Sequence, residues 1–417
     1  MLVKAGLDAL QDEIQKAVDA AREHWGRGLH LRDSGRATYP TISPREGDLL
    51  RRAAAQQSSI GLDLKWWSAD PYGGTGAGSD KSWTKVLVGR FLFGGDAPSR
   101  LNFFKLVPRT GAEHTVESAK RMQSKLLHIK VNAAIVSGAR ALMITERVGS
   151  GNIPPISLGE FLSTTIASNA GVLAAIVGQI RDQLVALGEV GPQIRAVKDL
   201  VWKWHDVPQV RAEWEKVRDV AAQKVGGPGQ DPVELLSQLT VCSESVRIEF
   251  QSMVHGGLHL SNVAVDVISE VAEAYIFDCA GLSGHVAFRD LAQLEVSALL
   301  HQDVIDGGFV WFCRAFYQSF LPADLPPEEA QRAQPVLLNT WMFIRHVRAA
   351  VGSHNQRLYA LLVFDYAMAQ LGGLAFGLSQ NKIGDPGEVA LLVALTARWY
   401  QRLESDTSRN SAESPVL

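Results

Sequence analysis

Apolar residues recur at steps of three and four through residues 1–26, where Leu7, Leu10, Ile14 and Val18 stand among acids, bases and glutamines. That spacing predicts an amphipathic helix. Residues 27–61 are interrupted by Gly, Pro and Ser, with a short helical pattern at 48–57. The period then changes to two. Residues 62–69 form a short aromatic strand candidate containing Trp66 and Trp67. Residues 83–93 alternate more cleanly, placing Trp83, Lys85, Leu87, Gly89, Phe91 and Phe93 on one face. A turn at 94–100 leads to a third strand at 101–107, a helix at 112–127, and two strands at 133–136 and 141–148 that meet around Ser137 and Gly138.

Beyond residue 157 the pattern becomes helical: 158–187 is apolar, and 194–224 is rich in Trp and charge. Gly226-Gly227-Pro228-Gly229 is a break. Residues 232–254 read as a helix, 254–284 as an island of loop and strand, and helices then continue to about residue 403 before a frayed tail at 404–417. The expectation is an α+β chain in two lobes. Residues 1–61 make an N-terminal helical extension, 62–156 a small five-stranded lobe, and 157–403 a mostly helical large lobe. A cleft between such lobes is where ligands usually bind.

Composition narrows the classes. Of 417 residues, 46% are apolar and 20% charged, enough for a core and against global disorder. Lys and Arg number 41 against 44 Asp and Glu, so bulk charge does not suit a nucleic-acid coat. Cys242, Cys279 and Cys313 lie far apart without a CxxC pair, which disfavours a disulfide framework and fits a reducing cytoplasm. No export signal or clean membrane span is read, and a soluble cytoplasmic protein without a membrane partner is expected.

Three constellations could carry chemistry. Gly73, Gly74, Gly76 and Gly78 lie between two strand candidates, either as a plain hairpin turn or as a loop whose N–H groups close over a phosphate. Lys105 sits inside an apolar strand, either pointing to water at an edge or pairing with an acid of the next helix, Glu113 or Glu117. The third runs from Val254 to Asp266 and on through Ala274 to Gly281. A loop, a strand, a turn and a second strand would bring Asn262 and Asp278 together. Their oxygens would suit Mg²⁺ with nucleotide phosphates, or would merely cap the hairpin's turns. Asp290, on the helix that follows, could brace the loop.

The run His255-Gly256-Gly257-Leu258-His259-Leu260-Ser261-Asn262, then Ile276-Phe277-Asp278, then Asp290-Leu291-Ala292, resembles a known series. It is the His-Gly-Asp-Leu-His-x-x-Asn … Ile-Asp-Phe … Asp-Leu-Ala pattern of aminoglycoside- and choline-kinase-like phosphotransferases, a branch of the protein-kinase-like fold. With Leu294 and Glu295 included it is most similar to bacterial "ternary complex associated" kinase-like domains. The resemblance spans roughly residues 62–403 and is motif-rich at 254–295. It implies a two-lobed kinase-like fold that binds ATP or a related nucleotide with Mg²⁺. Gly73, Gly74, Gly76 and Gly78 would cover the nucleotide. Lys105 would hold its α/β-phosphates, oriented by Glu117. Glu146 to Val148 would be the hinge touching an adenine. Asn262 and Asp278 would be metal ligands, with His255, His259 and Asp290 supporting the loop. Partners implied by the family's genomic setting are von Willebrand A or MoxR-type ATPase modules of signalling or conflict systems.

One position departs from the series. Where the family places its catalytic aspartate stands Gly257. That acid contributes about 10²–10⁴-fold to rate by accepting the attacking hydroxyl's proton. The expectation is therefore a degenerate kinase that signals through its bound state, with an active phosphotransferase and a non-binding adaptor as alternatives. His255 and His259 also have i, i+4 spacing, but the two glycines between them oppose the helix a zinc pair needs. Trp202, Trp204 and Trp214 among basic residues suggest base stacking less than they suggest a helix packed in the large lobe or against a protein.

Overall fold

Ser43-Pro44-Arg45-Glu46 opens a helix for local reasons. The Ser43 Oγ accepts the Glu46 N–H at 3.3 Å, Glu46 accepts the Ser43 N–H at 2.8 Å, and Pro44 fills the first turn. The resulting α1 (Pro44–Gln56) turns Leu49, Leu50, Ala53 and Ala54 inward. The computed structural model describes residues 28–32, 41–71, 83–93, 100–126, 129–137, 140–147, 155–201, 208–225, 231–268, 271–278, 283–306, 317, 321, 334–375 and 386–413. The expected helix at 1–26 lies outside them, as do Gly73, Gly74, Gly76, Gly78 and Val148. The described residues divide into two compact units that part between 147 and 155, with the 124–126 turn counted in the second.

In the first unit α1 lies on a sheet of six strands, where the sequence predicts five. They are β1 (Gly28–Arg32), β2 (Gly61–Pro71), β3 (Trp83–Leu92), β4 (Asn102–Pro108), β5 (Ile129–Ser137) and β6 (Arg140–Arg147), in the order β1-β2-β3-β4-β6-β5. The additional strand, β1, runs parallel to β2, and all other neighbours are antiparallel. A helix, α2 (Arg109–Gln123), joins β4 to β5. Period-two alternation sends Leu62, Leu64, Trp66, Leu87, Phe91, Phe104, Leu106, Leu142 and Ile144 toward α1. Trp67 turns to the other side and meets Phe103 edge-on, ring centroids 5.1 Å apart. Gly89 is required where β2 and β3 approach, because a Cβ there would lie 2.1 Å from the Asp63 carbonyl oxygen.

A buried ion cluster pins α1 to the sheet. Glu46, its side chain 2% exposed, accepts Lys85 Nζ at 2.6 Å and the guanidinium of Arg140, and Lys85 also donates to the Thr41 carbonyl at 2.7 Å. Burial alone would raise the carboxyl's pKa. The hydrogen bonds from Lys85, Arg140 and Ser43 outweigh it and hold the group below its ordinary value.

The second unit begins with β7 (Ile156–Ser157), α3 (Leu158–Leu162) and α4 (Ala170–Leu187). By length and composition α4 is the one helix among the described residues apolar enough to cross a membrane, at mean hydropathy 1.4. One face buries Leu173, Ile176, Val177, Ile180 and Leu184. Two predicted helices prove to be part strand. Strand β8 (Val190–Ala196) takes the start of 194–224, and the described α-helix there is α5 (Pro208–Val225); within 232–254, α6 (Pro232–Val241) gives way to β9 (Ser245–Val254). Asp231 ends the preceding loop by capping Val233 N and Glu234 N, and it accepts the Trp214 indole N–H at 3.2 Å. Trp214 is thus a packed helix residue.

The island beyond β9 holds β10 (Val263–Ile268), β11 (Val271–Ile276) and β12 (Ser283–Val286). They build two three-stranded sheets, β11-β10-β7 and β12-β9-β8. The outer edge of β11 is not left bare: Gln179 and Gln183 of α4 bond the backbone of Ala274 and Ile276 at 2.6–2.9 Å. Among the described residues, helices α7 (Arg289–Leu299), α8 (Gln302–Asp306), α9 (Pro335–Val351), α10 (Gln356–Ala375) and α11 (Pro386–Glu413) complete the unit, and α11 reaches into the expected frayed tail as far as Glu413. Four of these helices meet at Arg348. Fully buried, it donates to both oxygens of Glu295 (2.9 and 2.6 Å), which also accepts Tyr359 at 2.9 Å, while the guanidinium lies 4.2 Å from the Trp399 ring.

Candidate functional site

The loop between β9 and β10 is held by one face of α7. Asp290, Gln293 and Ser297 stand at i, i+3 and i+7, so their side chains form a row along the helix. Asp290 accepts the N–H of His255 at 2.7 Å and of Gly256 at 2.8 Å. Gln293 accepts that of Leu258 at 2.9 Å, and Ser297 that of Leu260 at 3.0 Å. Four backbone donors that strand pairing cannot reach are thereby satisfied. Gly256 has φ of 79°, a conformation that costs a residue with a side chain but not glycine. Gly257 is outside that left-handed region.

The loop is also tied to the end of β11. His255 is fully buried, with Nε2 2.9 Å from the carbonyl oxygen of Phe277. Phe277 donates its N–H to the Asn262 carbonyl at 3.0 Å, closing the mouth of the β10–β11 hairpin. Asn262, 5% exposed, is the last residue of a 3₁₀ turn, Leu260–Asn262, and points its amide nitrogen at the carbonyls of Gly257 (2.8 Å) and Asp278 (3.4 Å). With Nδ2 so engaged, Oδ1 is the amide atom left to bind something else, and no described residue donates to it. Asp278 has φ of 65°, which among the described non-glycine residues is shared only with Ser58. Such a backbone costs of order 1–3 kcal/mol and persists where the surroundings impose it.

The structure therefore brings Asn262, Asp278, His255 and Asp290 into one connected neighbourhood with the carbonyl of Gly257. His259 belongs to the same turn: its carbonyl accepts the Asn262 N–H at 2.8 Å, and its Nδ1 lies 2.7 Å from Ser261 Oγ. The two imidazoles thus have separate tasks. Among the described residues no group of three or more His, Cys, Asp or Glu is arranged to hold a metal. One amide oxygen and one carboxylate suit Mg²⁺, which keeps waters and takes phosphate oxygens for the rest of its shell. His285, on β12, is kept neutral, since burial and then Arg289 push its pKa down to about 3.

The first unit's candidates are placed differently. Lys105 is half-buried on β4, opposite Met143 of β6, and by strand alternation faces away from α1. The Glu117 expected to orient it is exposed on α2 and binds Arg121 one turn on, at 2.5 Å, while Glu113 is exposed. An i, i+4 partner on the same helix face claims that carboxylate. A second strand lysine, Lys85, is buried against Glu46. Glu146 lies opposite Asn102 near the end of β6, and its carboxylate binds Arg100 at 2.6 Å. Gln293 and Ser297 were not foreseen as loop holders; the available signal was two polar residues at helical spacing from Asp290.

No family model and no curated protein matches the chain. Among solved structures it is similar to a thermostable mutant of aminoglycoside phosphotransferase APH(4)-Ia in ternary complex with AMP-PNP and hygromycin B. The two are 12% identical over 81% of this chain and 94% of that one, with a TM-score of 0.43. It is similar to a microcompartment-associated aminopropanol kinase at 12% identity, over 85% and 97% of the two chains and a TM-score of 0.39. A choline kinase from Cryptosporidium parvum is 9% identical over 84% and 91%, with a TM-score of 0.36.

Proposed function

We propose that the chain is a kinase-like protein that binds a nucleoside triphosphate with Mg²⁺, the metal held by Asn262 Oδ1 and the Asp278 carboxylate. The observation that carries this reading is the pinned amide. Two carbonyls fix the nitrogen of Asn262 beside a left-handed Asp278, so a hard oxygen is presented at the end of the hairpin without a partner of its own. Bound Mg²⁺ would draw charge from the phosphates, and the chain's part would be to supply the fixed amide oxygen of Asn262 and the carboxylate of Asp278. In the first unit Lys105 and the glycines at 73, 74, 76 and 78 are the candidates for phosphate contact, and Glu146 to Val148 for the base.

Gly257 supplies no proton acceptor, so the chain is a degenerate kinase with respect to outside hydroxyls. It signals through its bound state to a protein partner, of which von Willebrand A and MoxR-type ATPase modules are the candidates. A ligand that prefers one conformation shifts the population toward it without chemistry. Thermal unfolding with and without Mg-ATP tests the proposal. At ligand about 100 times its Kd, binding adds about 2.7 kcal/mol. That gain should vanish in Asn262→Ala and Asp278→Ala and persist in Glu113→Ala; an unchanged melting curve in the wild-type protein rejects the proposal.

A further inference from the structure

We infer that Ser261 is a site of self-phosphorylation, its hydroxyl activated by His259; this rests on the nucleotide reading above. Ser261 Oγ and His259 Nδ1 are 2.7 Å apart, the separation of an activated nucleophile and its base. Both side chains are half-buried, whereas the other imidazole of the loop, His255, is fully buried and bonded to the Phe277 carbonyl. The pair is held on a rigid turn. Leu260 N–H is fixed by Ser297, and Asn262 N–H by the His259 carbonyl, so Ser261 lies between two anchored residues. It also directly precedes Asn262, which places a hydroxyl one peptide, about 3.8 Å between Cα atoms, from a proposed metal ligand.

Those features distinguish the hydroxyl of Ser261 from one brought by a substrate. An outside hydroxyl finds glycine at 257 in place of an orienting carboxylate, while Ser261 arrives with its own proton acceptor and needs no binding step. In the step, Ser261 Oγ attacks the terminal phosphorus of the Mg-bound nucleoside triphosphate and an Oγ–P bond forms. The bond from that phosphorus to the bridging oxygen breaks, and the nucleoside diphosphate leaves with the electron pair. The serine proton passes to His259 Nδ1 and then to water. The product carries about −1.5 to −2 charge.

The test uses the full-length, phosphatase-treated protein. After incubation with Mg-ATP, peptide mass spectrometry should find one phosphoryl group on Ser261, absent in Ser261→Ala and Asp278→Ala and formed at least about 100-fold more slowly in His259→Asn. A second reading needs no nucleotide. Nitrogen-15 spectra, with the His259 signal identified by its loss in His259→Asn, should show Nδ1 without a proton, accepting from the hydroxyl. A protonated Nδ1 overturns the inference. So does a protein that gains thermal stability from Mg-ATP yet leaves Ser261 unmodified or is modified elsewhere. Absence of any thermal gain overturns the nucleotide reading and this inference together.

Discussion

Replacing Asp290 with alanine removes the acceptor for two backbone N–H groups at once. Both hydrogen bonds are short, 2.7 and 2.8 Å, and both go to a carboxylate that is 1% exposed. Hydrogen bonds to a charged group are each worth about 1.5–3 kcal/mol, and a buried donor left bare costs about 1–3 kcal/mol. Water can reach the Gly256 N–H more readily than that of His255, because the residue is only half-buried. The expected cost of Asp290→Ala is therefore about 3 kcal/mol. In a unit of this size that lowers the melting temperature by about 6–12 °C. Asp290→Asn retains one acceptor oxygen but sets an NH₂ against the other donor, so it should fall between. Hydrogen exchange locates the effect: the amides of 255 and 256 should lose protection first, followed by 258 and 260 as the loop detaches from α7. A loss below about 0.5 kcal/mol, with exchange at 255 and 256 unchanged, would refute the idea that α7 holds the loop.

Glu46 gives a pH prediction for the first unit. Its folded pKa is held below the ordinary 4.5, so its contribution is present above that value and is lost as pH falls through the folded pKa. Glu46→Gln should lower stability at neutral pH and flatten the acid limb below about pH 4.5, measured by urea unfolding at stepped pH; an acid limb identical to wild type contradicts it. Arg348→Met leaves Glu295 charged and buried, at an expected cost of about 3–5 kcal/mol in denaturant unfolding, and Arg348→Met with Glu295→Leu should recover much of it. No recovery in the double variant would show that packing against Trp399 matters more than charge. Gly257→Asp needs no left-handed backbone; nucleotide-dependent phosphoryl transfer should rise by about 10²–10⁴-fold, and no rise in a nucleotide-binding protein refutes the assignment of the vacancy.

How much of this was legible in sequence depended on distance along the chain. Strands β3 and β4 declared themselves through large apolar residues at period two, Leu87 and Phe91 in one and Phe104 and Leu106 in the other. The β9 strand did not, although Val246, Ile248 and Phe250 alternate with Arg247, Glu249 and Gln251, because it follows a good helix with no Gly or Pro between. In β8, Gly191 and Pro192 mask the period, and its Ile194 is exposed. The β1 strand is five residues long and paired on one side. Asp290 near the loop was readable from its motif. Glu46 was not, since its partners Lys85 and Arg140 lie 39 and 94 residues away and tertiary packing alone unites them. The Glu117–Arg121 pair is local by contrast: a neighbour four residues along the helix lies within reach of the carboxylate.

The central claim is that the hairpin's two oxygens take a divalent cation, and a crystal structure grown with Mg²⁺ and a non-hydrolysable ATP analogue tests it most directly. The account predicts one Mg²⁺ about 2.0–2.1 Å from Asn262 Oδ1 and from a carboxylate oxygen of Asp278, with phosphate oxygens completing its shell. A nucleotide bound with its metal on other residues, or an Asn262 amide turned with Nδ2 toward the cation, would contradict it.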